Sequence, residues 1–371
     1  MTVKKKPEVE DRISELSDDV LCHILSFIPT KEAIATSLLS TRWRFVWTMV
    51  PSLHIECPLP IMNHYKTLNA FLALRRTQKV TSLRVKCKKH PYYNSCSCSR
   101  NVEEWISEAA ARKVEHVNIC LYTYNTRMLQ IAPFFTCTTI VTMKFKGIFN
   151  FHIPSVIHLP NLKTLCLNVK SYFPKGQINN LISGSPALEL FLFEHHFNEY
   201  KIMRNSQVIQ LSKLNTLYTL VIQSEPRYDF ISDYFEGREV NIVKAKVYLT
   251  VYRAHEQRVV HKILQRLRNV EFLTFTYFRN EMDDPSNLDF PLFKNLVTLK
   301  LFLKDNVSLQ IENPAKCPNL RMIEVNIMDD CKRCRYYANG GGRKHDQLTV
   351  PICNKITTFR KCFRTSRGYK L

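Results

Sequence analysis

Apolar residues near the N-terminus recur at helical spacing and predict three short helices between residues 17 and 50. The first helix carries one apolar face, formed by Val20, Leu21, Ile24, Leu25 and Ile28. Ser17, Thr30 and Ser40 are the predicted N-caps of the three helices, and Pro29 ends the first. Helices this short cannot bury so many large apolar groups among themselves. We therefore expect an exposed apolar surface, suited to a protein partner, at Leu16, Ile24, Leu25, Ile28 and Trp47.

A second pattern, apolar-x-x-apolar-x-apolar, recurs ten times between residues 80 and 327. Its central residues lie at positions 83, 117, 143, 165, 191, 220, 247, 273, 299 and 323. Every interval after the first falls within the period of about 20–29 residues that is typical of leucine-rich repeats. The paired apolar residues are expected to point into a core from a parallel strand. The rest of each repeat is expected to return on the other side, with helices at 102–110 and 257–267.

These two patterns together predict an α/β repeat solenoid. A three-helix bundle is followed by a leucine-rich-repeat horseshoe of about ten repeats, with parallel strands on its concave face. The first, long interval contains KKHPYYNSCSCS at 88–99, which we interpret as a protruding loop. Each repeat buries its apolar face only against its neighbours, so the array is expected to fold as one elongated domain.

Composition restricts the class of protein. The chain has 371 residues, of which 45% are hydrophobic, so wholesale disorder is excluded. It has no run of about 18 apolar residues that would suggest a membrane span, and no secretory signal at its start. Thirteen cysteines, an odd number, indicate free thiols in a reducing compartment. We therefore expect an intracellular protein of the nucleus, the cytoplasm or both.

The formal net charge of +21 is unevenly placed. The segment from Cys331 to Leu371 contains eleven Lys and Arg and one Asp, and a second basic stretch covers Arg75 to Lys89. Basic blocks of this kind are typical of binding to nucleic acid or acidic partners, of nuclear import, or of a solvated surface.

The N-terminal helices carry a family resemblance. Residues 11–50 read DRISELSDDVLCHILSFIPTKEAIATSLLSTRWRFVWTMV. This stretch closely resembles the F-box of plant proteins, with Ser17 where that family usually has proline. The resemblance implies docking on the small Skp-family adaptor of a cullin-RING ubiquitin ligase; the alternative is a helical cap on the domain that follows. Carried over by position, the adaptor-binding residues would be Leu16, Val20, Leu21, Ile24, Leu25, Ile28, Pro29, Ala33, Leu38, Trp43 and Trp47.

Phrases within the repeats resemble the plant F-box/leucine-rich-repeat family, among them HLPNLKTLCLNV, FKNLVTLKL and CPNLRMIEVNI. The final residues, TVPICNKITTFRKCFRTSRGYKL, look like the opening of the FBD module that often follows, and they stop early. We predict an F-box at 11–52, a linker and helical cap at 53–79, the repeats at 80–327, and a basic tail with a truncated FBD-like segment at 328–371.

The strand positions that alternate with the core positions form the predicted target-binding surface. Its candidate residues are Arg84, Lys86, Asn118, Lys144, Lys146, Asn168, Glu194, Gln223, Tyr248, Lys300 and Phe302. Because the early repeats are basic, one hypothesis places an acidic segment of the target across them. The alternative is that these lysines only keep the strand face soluble.

Motifs for chemistry are weak. Cys331 and Cys334 have metal-ligand spacing, but His345 and Cys353 follow too far along the chain for a typical structural zinc site. Weaker still are a cluster of Cys87, His90, Cys96 and Cys98 and the pair His195-His196. Glycine-rich phosphate loops and the common hydrolase and metalloprotease motifs are absent from the sequence. We expect no metal, no cofactor and no active site.

The resemblance thus implies the substrate-recognition subunit of an SCF-type (Skp-cullin-F-box) ubiquitin ligase, itself non-catalytic. Its expected partners are the adaptor, through it a cullin, and a protein substrate, with no membrane. The rival interpretation is a basic protein associated with nucleic acid, whose binding would fall steeply with added salt. A non-degradative F-box scaffold is the remaining alternative.

Overall fold

The polypeptide forms two compact units, residues 1–125 and 126–371, in the computed structural model of the chain. The first unit contains the N-terminal helices and three strands, and the second unit contains the later strands. The residues that the structure describes are 12–57, 73–75, 79–87, 99–122, 128–169, 177–195, 219–224, 242–251, 257–279, 290–304, 316–328 and 356–362.

The first unit begins with three short α-helices and a 3₁₀ turn. They are α1 (Asp18–Leu25), α2 (Thr30–Ala35), the turn Thr36–Leu38 and α3 (Trp43–Met49). Ser17 caps α1 as predicted, and two aspartates lie in the first turn, at the positive end of the helix dipole. The φ angle of Ser17 is −67°, which is the value that a proline ring would impose. The backbone therefore keeps at Ser17 the geometry that proline provides in the family.

The other two predicted N-caps are wrong. Thr30 is the first residue of α2, after Pro29, and its Oγ1 accepts a hydrogen bond from the backbone amide of His54 at 2.9 Å. Helix α3 begins after Arg42 and not after Ser40, and no side-chain hydrogen bond caps it. The hydroxyl of Thr30 is thus used to hold the strand that follows the helices.

The helices enclose a small apolar core. Its buried members are Leu21, Cys22, Leu25, Ala33, Val46, Trp47 and Val50. Leu25 and Trp47 are only 3% and 5% exposed, so the prediction that they form an exposed surface is wrong. They are buried because partly buried apolar side chains close the edges of the core, namely Leu16, Ile28, Ile34, Trp43 and Met49.

A parallel sheet completes the first unit. Its strands are β1 (Ser52–Cys57), β2 (Ser82–Cys87) and β3 (His116–Tyr122), with helix α4 (Ser99–Ala111) packed against β2. All of β1 except Ser52 lies within the segment 53–79, which is predicted from the sequence as a linker and helical cap. Val50, Leu53 and Ile55 have the same apolar-x-x-apolar-x-apolar spacing as the repeats. This copy is difficult to recognise in the sequence because Val50 is also the last residue of the helical pattern.

The second unit contains a longer sheet. Eight strands pair in parallel: β5 (Thr142–Ile148), β7 (Thr164–Val169), β8 (Leu190–His195), β9 (Thr219–Ser224), β10 (Lys244–Val251), β11 (Phe272–Arg279), β12 (Thr298–Lys304) and β13 (Met322–Met328). A last strand, β14 (Ile356–Cys362), pairs antiparallel with β13 and lies within the predicted tail. Two short strands pair with each other, β4 (Met128–Leu129) and β6 (Asn150–Phe151). The segments between strands include the 3₁₀ turn Ala132–Thr136 and helices α5 (Gln177–Ser183) and α6 (Gln257–Arg266).

The repeat pattern is confirmed at the level of strands. All ten predicted central residues lie in strands, and the strands pair in parallel within each unit as far as β13. The predicted centre at Val247 is wrong by two residues, because Ala245 of β10 is the residue in register with the central residues Leu220 and Leu273. The predicted helices at 102–110 and 257–267 correspond to α4 and α6. The curvature of a horseshoe stays a prediction.

Asparagine side chains join consecutive repeats just before the strands begin. The Nδ2 of Asn161 donates to the carbonyl of Thr138 at 2.9 Å, and Asn319 donates to the carbonyl of Lys294 at 2.7 Å. Asn295 repeats the contact more weakly, at 3.4 Å from the carbonyl of Asn269. Each asparagine thereby links its own repeat to a backbone carbonyl of the preceding repeat.

Several predictions fall outside the described residues. They concern the loop at 88–98, the cysteine and histidine patterns at 90–98 and 331–353, and the side chains of Glu194, His195, His196 and Gln223.

Candidate functional site

The outer side of α1 carries exposed apolar side chains. Val20, Ile24 and Phe27 follow helical spacing along this side and are 42%, 45% and 69% exposed. Leu38, in the turn before α3, is 89% exposed. Val20, Ile24 and Leu38 are therefore the predicted adaptor-binding residues that the fold leaves open to solvent.

The other predicted adaptor-binding residues face the chain's own core. Four of them are buried, namely Leu21, Leu25, Ala33 and Trp47. Four are partly buried, namely Leu16, Ile28, Pro29 and Trp43. All of them except Pro29 belong to the helical core or pack against it, so we expect them to affect a partner mainly through the position of the exposed residues.

Four further exposed apolar residues, which the sequence pattern did not identify, lie in the same N-terminal helical region. Ile13, Phe27, Leu39 and Phe45 are between 45% and 69% exposed. Phe27 continues the spacing of Val20 and Ile24 beyond the end of α1, and Leu39 directly follows Leu38. Continuing the helical spacing past the last turn would have identified Phe27.

Arg42 connects the segment before α1 to the start of α3. Its guanidinium pairs with the carboxylate of Asp18 at 2.8 Å and donates to the carbonyl of Ser14 at 2.6 Å. A further N–H of the same group donates to the carbonyl of Leu16. Arg42 therefore holds the backbone of the segment before α1 in place, next to the N-terminal end of the exposed apolar surface.

In each unit, alternate side chains of every strand point to opposite faces of the sheet. The core residues lie on the buried face, and the residues between them form the face that we call the open face. In the first unit Arg84 and Lys86 are exposed on β2, and Asn118 on β3 is half-buried. The Nζ of Lys86 lies 3.4 Å from the Oε1 of Glu56 on β1. Burial lowers the pKa of the neighbouring His54, and the charge of Arg84 lowers it further, so His54 adds no positive charge at neutral pH.

The open face of the second unit begins with a basic strand. Lys144 and Lys146 are exposed on β5, and their registered neighbours on β7 are Cys166 and Asn168, both half-buried. The Cys166 thiol stays protonated because burial raises its pKa. The two lysines supply the uncovered positive charge at this end of the sheet.

The later strands present a mixed surface. Tyr248 on β10 and Phe302 on β12 are half-buried, with Thr276 of β11 between them in register. Lys300 on β12 pairs with Glu324 on β13, with 3.2 Å between Nζ and Oε2. The repeat pattern places Thr276 on the open face together with Tyr248, Lys300 and Phe302, but it gives no sign that the Thr276 side chain is buried.

Two absences can be stated for the part of the chain that the structure describes. None of its His, Cys, Asp and Glu side chains form a group of three or more that could hold a metal ion. Among the helices described, none has the length and apolar content needed to cross a membrane.

Comparison with protein families gives two matches. Residues 13–55 match the family described as "F-box domain". Residues 102–246 match "FBD-associated F-box protein At5g56370, LRR repeats". The first match covers α1 to α3 and the first four residues of β1, and the second runs from within α4 into β10.

Similar whole proteins come from Arabidopsis thaliana. "FBD-associated F-box protein At5g60610" is 26% identical over 93% of this chain and 90% of its own length. "F-box/FBD/LRR-repeat protein At4g26340" is 27% identical over 85% of this chain and 77% of its own length. "FBD-associated F-box protein At4g10400" is 31% identical, but over 56% of this chain and 51% of its own length. The likeness to the first two extends over both structural units.

Proposed function

We propose that this chain, which belongs to the plant F-box/leucine-rich-repeat proteins, is the substrate-recognition subunit of an SCF-type ubiquitin ligase. Its N-terminal helices would bind a Skp-family adaptor, and through it a cullin. Its open sheet faces would bind the target protein, in the nucleus or the cytoplasm.

The exposed apolar side of α1 is the observation that carries this proposal. Val20, Ile24 and Phe27 remain in solvent although the opposite side of the same helix is fully used in the core. Burying one such side chain contributes about 1.5–3 kcal/mol, so a partner helix that covered all three would gain substantially. An exposed apolar helix face of this kind typically binds a groove or helix of another protein.

The mechanism would be tethering without chemistry by this chain. Binding the adaptor at one site and the target at another raises the effective concentration of target lysines near a ubiquitin-charged enzyme. Specificity would reside in the open faces, where an acidic segment against Lys144 and Lys146 remains a hypothesis.

Replacement of the exposed side chains tests the adaptor interface. In a titration of the full chain with a Skp-family adaptor, Val20→Asp with Ile24→Asp is expected to weaken binding by about 100-fold, or about 2.7 kcal/mol. The two positions are exposed, so the variant should keep its fold.

Val156→Asp provides the matched control, because Val156 is 73% exposed in the second unit. It should bind the adaptor as tightly as the wild type. The proposal is wrong if the wild-type chain does not bind an adaptor, or if the double variant and the control bind equally well.

A further inference from the structure

The open face of the second unit contains a buried hydroxyl group without a hydrogen bond, at Thr276 on β11. Thr276 is 6% exposed, and its Oγ1 has no hydrogen-bond partner within the described part of the chain. Among the open-face side chains that are described, only Thr276 and Glu324 are buried, and Glu324 is paired with Lys300. An unpaired buried polar group costs about 1–3 kcal/mol. Thr276 is thus a position where a polar group of a ligand would be stabilising.

Thr276 and five neighbouring side chains form two rows on the open face, and we call these six side chains the β11 trough. Across β10, β11 and β12 the first row is Tyr248, Thr276 and Phe302, and the second row is Lys246, Thr274 and Lys300. The rows are about 6.6 Å apart along the strands, and neighbouring strands are about 4.8 Å apart. Because the two β11 residues are small and their neighbours are large, the surface has a floor of threonines, an aromatic end and a basic end.

The two ends of the trough differ in charge. Lys246 makes no ion pair within the described residues, and Lys300 has donors left beyond its contact with Glu324. Burial raises the pKa of Tyr248, so its phenol remains neutral at physiological pH. The basic end therefore favours a carboxylate, and the aromatic end favours an uncharged ring.

We propose that the β11 trough binds an extended segment of the target protein in which an aromatic and an acidic residue are two positions apart. An extended peptide places side chains i and i+2 on the same side about 6.6 Å apart, which matches the spacing of the two rows. The aromatic ring packs between Tyr248 and Phe302, and the carboxylate pairs with Lys246. Beside that ring, a polar group of the peptide forms a hydrogen bond with the buried Thr276 hydroxyl, which becomes accessible when Tyr248 and Phe302 move apart to admit the ring. This inference rests on the proposed function, since it specifies the class of target.

Binding of two synthetic peptides to the full chain tests the trough. Both are seven-residue labelled peptides with glycine ends, one with a central phenylalanine-serine-glutamate sequence and one with the reverse order. Fluorescence anisotropy is expected to show saturable binding of one order. Replacing the phenylalanine by alanine, or the glutamate by glutamine, should remove that binding.

Variants of the chain locate the binding. Lys246→Glu and Phe302→Ala are each expected to weaken it by about 10-fold, whereas Lys262→Glu on α6 and Leu292→Ala leave it unchanged. Thr276→Val removes the unpaired hydroxyl at similar volume, so it should weaken binding without lowering the thermal midpoint. The proposal is overturned if neither peptide binds saturably up to millimolar concentration, if Lys262→Glu equals Lys246→Glu in effect, or if Thr276→Val binds like the wild type.

Adaptor binding by the same preparations separates this inference from the proposed function. If the chain binds the adaptor but neither peptide, the proposal for the β11 trough is wrong and the proposed adaptor role stands. If the chain binds a peptide but not the adaptor, the result supports peptide binding by the β11 trough and the proposed adaptor role is wrong.

Discussion

Single side chains decide which part of an amphipathic helix faces a partner. The spacing of Val20, Leu21, Ile24 and Leu25 describes one broad apolar stripe on α1. The structure divides that stripe, with Leu21 and Leu25 buried and Val20 and Ile24 exposed. Periodicity shows that a stripe exists, but only the position of α3 determines which edge of it enters the core.

Arg42 gives a prediction at this scale. Arg42→Ala removes its contacts to Asp18 and to the carbonyls of Ser14 and Leu16, so the segment before α1 should lose its fixed position. We expect adaptor binding to weaken by about 5- to 10-fold, as for the loss of one or two charge-assisted hydrogen bonds. Titration with the adaptor measures this effect.

Arg44→Ala is the matched control, because Arg44 is exposed and no contact of its side chain is seen within the described residues. It removes the same charge two residues away. Equal affinities of the two variants would show that Arg42 acts only through net charge.

At the scale of elements, the repeat spacing located ten strands because strands such as β2, β5 and β11 bury an apolar pair at the same two positions. It missed β1, where Val50 serves both the helical core and the first repeat. It also missed β14, because this antiparallel strand follows the last repeat and does not continue the interval of 20–29 residues between repeats. Sequence periodicity thus predicts elements that repeat and fails at the two ends of the array.

The asparagine contacts between repeats are a property of these elements. Asn161→Ala should lower the free energy of unfolding by about 0.5–1.5 kcal/mol, because the carbonyl of Thr138 loses its side-chain partner. The shift of the urea midpoint measures the change. Asn168→Ala, at a half-buried open-face position of the strand that follows, is the control. If both variants unfold at the same midpoint, the contact does not stabilise the array.

At the scale of the whole molecule, one chain combines an apolar helix surface with polar sheet faces. The net charge of +21 is distributed over both units, with exposed lysines on each open face. The two kinds of surface suit two different partners, one bound by apolar burial and the other by charge and aromatic contacts. Family resemblance predicts the first partner, whereas the second depends on the environment of side chains such as Thr276, whose position on the open face follows from the repeat pattern but whose burial does not.

Amide hydrogen exchange of the full chain, free and saturated with a Skp-family adaptor, tests the central claim most directly. If an adaptor covers the exposed helix surface, exchange should slow at residues 18–27 and 36–45 and stay unchanged in β10, β11 and β12. Unchanged exchange in the helices, or slowing confined to the sheet strands, would contradict it.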